Sequence, residues 1–220
     1  MLLAAGRGER LRPLTDRVPK PLVPVAGKPL IAWHLERLAA SGVREVVANV
    51  SHLGQQIVDY VGDGGRFGLR VGFSLEAEPL ETAGGIAQAL PLLGAQPFLL
   101  VNGDIYCELD FRPLLSHRLA QNLAHLVLVP NPPQHAKGDF SLDGSTIGNE
   151  GATRYTYAGV AVMSPHLVEP VKRGDKAPLA PLLRAAAAQE RISGELYRGL
   201  WQDVGTMERL AELETLLARR

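Results

Sequence analysis

The sequence predicts an α/β fold, a mostly parallel central sheet flanked by helices, and three observations carry that prediction. Apolar runs of strand length alternate with segments of helical period, the pattern of successive βαβ units. The chain has 220 residues and 46% hydrophobic content, enough for one substantial core. No internal repeat or low-complexity linker divides it, so a single domain is the simplest organisation.

Leu2–Ala5 is expected as the first strand, and a buried strand here would ordinarily begin a little before Met1. Residues 29–40 (PLIAWHLERLAA) set Leu30, Trp33, Leu35, Leu38 and Ala39 mostly on one face, begin at a proline and stop before Gly42, so both helix ends are punctuated. Strands at 45–49, 70–74 and 98–101 then alternate with helices at 53–61 and 84–93. The strand Phe98–Val101 delivers Asn102-Gly103-Asp104 at its carboxyl end, where ligands of open α/β sheets gather. In the second half we expect a helix over 113–121 and a strand over 124–129, followed by Pro130-Asn131-Pro132-Pro133, which continues neither. A hairpin over 140–147 turning at Asp143-Gly144, a strand over 156–163, an alanine-rich helix over 178–189, a strand over 192–197 and an amphipathic helix over 206–218 complete the chain.

The most informative segment follows the first strand. Residues 1–20 hold Arg7, Arg10, Arg12, Arg17 and Lys20 against Glu9 and Asp16, a local cationic excess in a formally neutral chain. Gly6 and Gly8 let backbone N–H groups approach phosphate oxygens, and Arg10 and Lys20 add charge-assisted hydrogen bonds. A dinucleotide-binding loop would need a third glycine near position 11, which is Leu, and Pro13 interrupts the helix such a loop opens. No Gly-Lys-Ser/Thr run of the Walker type exists. An ordinary glycine-rich surface turn would not need the cations or the Pro19-Lys20-Pro21 that follow.

LAAGRGERLRPLT at 3–15 with Pro19-Lys20-Pro21 resembles the nucleoside-triphosphate transfer signature of the sugar-1-phosphate nucleotidyltransferases. The likeness extends through VNGD at 101–104 and WQDVGT at 201–206, and so spans nearly the whole chain. Within the family, the short length and EPLETAGGI at 78–86 most resemble the branch that passes uridylyl groups to N-acetylmuramate α-1-phosphate in cell-wall (peptidoglycan) sugar recycling.

The resemblance implies a single Rossmann-like nucleotidyltransferase domain over 1–220, with a nucleotide-binding half at 1–112 and a sugar-binding half at 113–220. It implies UTP and a sugar 1-phosphate as partners, Mg²⁺ as cofactor, and Asp104 and Asp203 as its ligands. Arg10 and Lys20 are the implied catalytic cations. Ala4, Ala5, Gly6, Arg7, Gly8 and Lys20 are expected on the triphosphate, Glu78, Thr82, Gly84 and Gly85 on the nucleoside, and Asn102, Gly138 and Asp139 on the sugar. From spacing alone Asp104 could be a turn residue and Asp203 a helix cap, and Glu76 or Glu81 could take the place of Glu78.

The chemistry needs no general base, because a phosphate monoester with a second pKa near ~6 is largely dianionic at neutral pH. It needs cations that bring two anions together, and this inventory supplies them. The six histidines show no metal-ligand spacing, and His34, within a helix, reads as packing. Lys176 is a candidate phosphate contact; Lys28 and Arg154 have no assigned role.

Zero net charge argues against a nucleic-acid partner. No apolar run approaches the ~20 residues of a membrane span. Cys107 as the only cysteine excludes an internal disulfide and fits a reducing compartment, so a cytoplasmic protein is expected; separately, a monomer is favoured. The alternatives are thymidylyl, guanylyl or cytidylyl transfer to another phosphorylated small molecule, or a silent nucleotide-binding regulatory subunit. Arg10, Lys20, Asp104 and Asp203 occurring together argue against the last. The short stretch after Asp203 is expected to leave no room for a second catalytic domain.

Overall fold

The computed structural model of the protein describes residues 1–219. Its main sheet is assembled from β1 (Leu2–Leu3), β4 (Glu45–Val50), β5 (Arg70–Leu75), β6 (Phe98–Asn102), β8 (Ala124–Val129), β9 (Phe140–Asp143), β10 (Thr146–Gly148), β11 (Arg154–Met163) and β12 (Ile192–Leu196). The order is β5-β4-β1-β6-β11-β8-β12-β10-β9. β5, β4, β1 and β6 are mutually parallel; β11 runs against β6 and β8, and β12 lies parallel to β8. Seen along the whole sheet, only β10 and β11 oppose the common direction. The antiparallel β6–β11 ladder makes one sheet of the segments on either side of residue 113.

Alternation along the strands creates a core on each face. Leu2, Val101, Val127 and Val129 join one cluster with Leu35 and Leu38 of α1 (Leu30–Ala40) and Ile57 of α2 (Gly54–Val61). Leu100, Leu126 and Leu128 point the other way, onto Ile86 and Ala89 of α3 (Glu81–Leu93) and Leu183 and Ala186 of α5 (Ala180–Ala188). A central strand covered on both faces is apolar at nearly every position, and Ala124–Val129 is buried throughout, with His125 its one polar side chain.

A third, smaller cluster bears directly on the cleft. Two short strands, β7 (Ile105–Cys107) and β13 (Trp201–Asp203), pair with each other, as do β2 (Pro24–Val25) and β3 (Lys28–Pro29). Val25, Leu30, Tyr106 and Val204 pack there with Leu210 and Leu213 of α6 (Met207–Ala218).

Three expected elements change length for local reasons. β1 stops at Leu3, because the Ala4 N–H leaves the ladder for a side-chain acceptor. The helix expected over 113–121 is the short α4 (Arg112–Ser116): His117 is already extended, and Ala120 turns at φ +50° while Leu119 is drawn into the core. α3 starts three residues earlier than expected, at Glu81, because Ala177 carbonyl accepts the N–H groups of Ala83 and Gly84 that would otherwise be orphaned.

Candidate active site

The turn after β1 is braced from behind. Ala4 N–H donates to Asn49 Oδ1 at 2.8 Å, Asn49 Nδ2 donates to Glu76 Oε1 at 2.6 Å, and Glu76 Oε2 accepts the Leu80 N–H at 2.9 Å. Asn49 and Glu76 are buried, so these bonds tie the turn, β4, β5 and the entry to α3 into one frame. Gly8 has φ +65°, and a Cβ there would stand 2.9 Å from Thr15 Cγ2, so the position demands glycine. Thr15 Oγ1 donates to the Gly8 carbonyl at 2.8 Å and the fully buried Leu11 pins the far side. Gly6, Arg7 and Arg10 are left exposed.

Two cavities open beside this turn. The larger, about 810 Å³, is walled on one side by Ala4, Ala5, Gly6, Arg7, Gly8 and Lys20, and on the other by Glu78, Thr82 and Lys176. The smaller, about 320 Å³, is bounded by Gln134, Asp139, Trp201, Asp203 and Arg209. Arg10, Asn102 and Asp104 line both. Asn102 reaches this junction because Gly159, at φ +75°, leaves its amide room: a Cβ at 159 would lie 2.7 Å from Asn102 Nδ2.

Lys20 is only 7% exposed, and its Nζ donates to Asp104 Oδ2 at 2.8 Å. Such a buried ammonium needs an anionic partner. Asp203 arrives beside Asp104 through strand pairing: it stands opposite Ile105 in the β7–β13 ladder, and Val204 N–H donates to the Asp104 carbonyl at 2.7 Å. Arg209 pairs with Asp203 Oδ2, and Gln134 Nε2 donates to Oδ1 at 2.8 Å. Among the described residues no group of three or more His, Cys, Asp or Glu forms a metal cage. Two carboxylates beside a phosphate-sized cleft nevertheless suit a hard divalent cation that takes its remaining ligands from substrate and water.

Near Asp104, the buried His34 ring is pushed down to about 4 by burial, against the opposing pull of a backbone hydrogen bond at Ile105 and the Asp104 charge. It is neutral at pH 7 and buried within α1. Burial likewise raises the Cys107 thiol, leaving it unreactive.

The family profile described as nucleotidyl transferase matches residues 1–143. The chain belongs to the nucleotidyl transferase family. N-acetylmuramate alpha-1-phosphate uridylyltransferase of Neisseria meningitidis serogroup B is 51% identical to it, covering 98% of this chain and 96% of the relative. Glucose-1-phosphate thymidylyltransferase of Streptomyces griseus is 29% identical over 99% of this chain, which spans 65% of that longer protein. Among solved structures, HddC from Yersinia pseudotuberculosis complexed with GMP-PN matches with a TM-score of 0.77 at 23% identity, covering 98% of this chain and 97% of its own. A Bacillus anthracis protein in complex with a sucrose matches at 0.86 and 19% identity, covering 98% and 93%. At these identities the two structures establish the fold of this nucleotidyltransferase.

Some residues expected at the ligands of the nucleotidyltransferase sit behind the cavity walls instead. Gly84 and Gly85 do not line the larger cavity. A Cβ on Gly84 would collide with the Asp175 carbonyl, and one on Gly85 would stand 2.6 Å from Glu76 Oε1, so both serve close packing of α3. Glu76, having both oxygens engaged, is a brace, whereas Glu78 and Glu81 are both exposed acids on this wall of the cavity. Gly138 also stays outside the smaller cavity; its φ of +61° and a would-be Cβ 2.8 Å from Asn131 Oδ1 show a tight turn. Asp139 does line that cavity, with Oδ2 accepting the Tyr157 N–H and Oδ1 3.0 Å from His135 Nε2. Arg154 donates to the Asp139 carbonyl at 2.6 Å, and Lys28 pairs with Glu36, so both are structural. Lys176 lines the mouth of the larger cavity 3.7 Å from Glu81. Asn49, Gln134, Gly159 and Arg209 went unnoticed in the sequence. Only Arg209 left a signal there, a cation on the first turn after a Thr206 cap and close behind Asp203.

Proposed function

We propose that this nucleotidyltransferase passes a uridylyl group from UTP to a sugar 1-phosphate, N-acetylmuramate α-1-phosphate foremost, forming the UDP-sugar and pyrophosphate. The observation that carries the proposal is the meeting of two cavities at Arg10, Asn102 and Asp104. The larger has room for a nucleoside triphosphate and the smaller for a sugar ring, so their shared wall is where an acceptor phosphate and an α-phosphate come together. Residues 1–112 thus contribute most of the nucleotide side, and residues beyond 112 most of the sugar side.

Each side chain has a part in bringing two anions together. The backbone of residues 4–8 cradles the triphosphate, Arg10 stabilises charge at the junction of the cavities, and Lys20 does so from beneath. Asp104 and Asp203 would hold Mg²⁺, which supplies charge neutralisation between the two phosphates when bound. Glu78 and Thr82 face the nucleoside, while Asn102 and Asp139 face the sugar. The acceptor phosphate is already dianionic, so no residue need remove a proton.

No helix among the described residues is long and apolar enough to cross a membrane. A monomeric enzyme of cell-wall sugar recycling in the cytoplasm is part of the same proposal. Pyrophosphate release with N-acetylmuramate α-1-phosphate and each of UTP, CTP, GTP and dTTP tests it. The highest kcat/KM is expected with UTP, and a chelator should abolish release. A better rate with dTTP would move the chain to the thymidylyl reading, and release undiminished by a chelator would remove the cation.

A further inference from the structure

Both oxygens of Asp203 are engaged, Oδ2 by the Arg209 guanidinium and Oδ1 by the Gln134 amide. The guanidinium occupies a made seat. Gly205 lies beside it, where a Cβ would stand 2.5 Å from Arg209 Nη2 and 3.0 Å from Asp203 Oδ2. Thr206 Oγ1 accepts from the Arg209 backbone N–H and from Nε, each at 3.4 Å, and Gln202 donates to the Arg209 carbonyl at 2.8 Å. The Arg209 side chain is 12% exposed and lines the smaller cavity, as does Arg10.

We infer that Arg209 is a positioning residue that stands in for the divalent cation at Asp203 and, once the cation takes that carboxylate, turns its guanidinium to the anionic acceptor. The inference rests on Asp203 being a ligand of the cation. A guanidinium cannot shed its proton, so a dication arriving on Asp203 meets a fixed positive charge and weakens its pairing. The fork that is freed lies along the cavity proposed for the sugar 1-phosphate, whose phosphate oxygens it can hold in two parallel hydrogen bonds. Cation and acceptor then favour each other's binding, because each relieves Arg209 of an unfavourable alternative, and that coupling must be reciprocal.

The test uses Mn²⁺ as the probe, its free concentration read by electron paramagnetic resonance with nucleotide-free protein, for wild type, Asp203→Asn, Arg209→Gln and Arg209→Lys. Asp203→Asn should weaken Mn²⁺ by about 10-fold or more, as loss of a charged ligand does. Arg209→Gln should tighten it by about 3-fold or more, while raising the acceptor KM about 10-fold and leaving the UTP KM within about twofold. Arg209→Lys keeps the charge and loses the fork, so Mn²⁺ affinity should stay near wild type while the acceptor KM rises. Unchanged or weaker Mn²⁺ binding in Arg209→Gln overturns the inference, and it leaves the Asp203 assignment standing if Asp203→Asn weakens the metal. Unchanged Mn²⁺ binding in Asp203→Asn overturns the assignment itself. Should Arg209→Gln fail to fold, the wild-type Arg209 Nε–Hε resonance, identified by its loss in Arg209→Lys, must shift on adding Mg²⁺; a resonance that stays in place overturns the inference.

Discussion

Lys20 is a buried ammonium whose partner, Asp104, is half exposed, so the pair is fixed from one side and open to ligand from the other. Lys20→Ala should lower kcat by about 10²-fold or more, since a cation aimed at phosphate charge acts mainly in the transition state. Thermal unfolding should move little, because the abandoned carboxylate can reach water. Steady-state turnover near wild type in the folded variant would take Lys20 out of the mechanism. Asp104→Asn and Asp203→Asn should each nearly abolish turnover, and the double variant should be little worse than either, as expected of two ligands of one cation. Multiplicative losses in that cycle would mean two independent roles. The first of these residues was legible because glycines, cations and Lys20 crowd into one local turn. Asp203 joins Asp104 only through the β7–β13 ladder, a long-range pairing that no local pattern encodes.

Among the elements, α3 shows how a motif can be legible while its physical part is not. EPLETAGGI marks the nucleoside side, yet its two glycines face Asp175 and the Asn49–Glu76 brace. Gly85→Ala should cost about 1–3 kcal/mol in chemical denaturation, from overpacking against Glu76, and should raise the UTP KM by loosening the turn at Ala4. A stable variant with an unchanged KM would disconnect the brace from the cleft. β8 carries a second consequence. Burial pushes the His125 imidazole down to about 4, helped by the charge of His117, whose ring stacks on it at 3.9 Å. Unfolded, the same group takes up its proton near 6.5, so the unfolded state binds more protons between those values. Its contribution is whole above pH 6.5 and is lost as pH falls to about 4, at most about 3 kcal/mol. Denaturant titrations from pH 7 to 4 should show a shallower fall for His125→Gln, which can keep the hydrogen bond to Ser193. Parallel pH profiles would remove His125 as a source of acid sensitivity.

For the whole molecule, the alternation of strand and helix in the first half predicted parallel strands, and β5-β4-β1-β6 follows that order. The second half was harder to order from sequence, because β11 reverses direction and inserts between β6 and β8, a choice made by the sheet rather than by any segment. That insertion carries Gly159 to Asn102 and the loop around Gln134 to Asp203, so it shapes the smaller cavity. Acceptor choice therefore belongs to this scale. A lactyl ether adds bulk and a carboxylate, which the smaller cavity must admit beside the phosphate proposed to lie between Arg10 and Arg209. The most direct test compares kcat/KM, with UTP fixed, for N-acetylmuramate α-1-phosphate, N-acetylglucosamine 1-phosphate and glucose 1-phosphate. The muramate should lead by about 10-fold or more, equivalent to about 1.4 kcal/mol of transition-state preference. An equal lead for either sugar lacking the lactyl group would contradict the proposed acceptor.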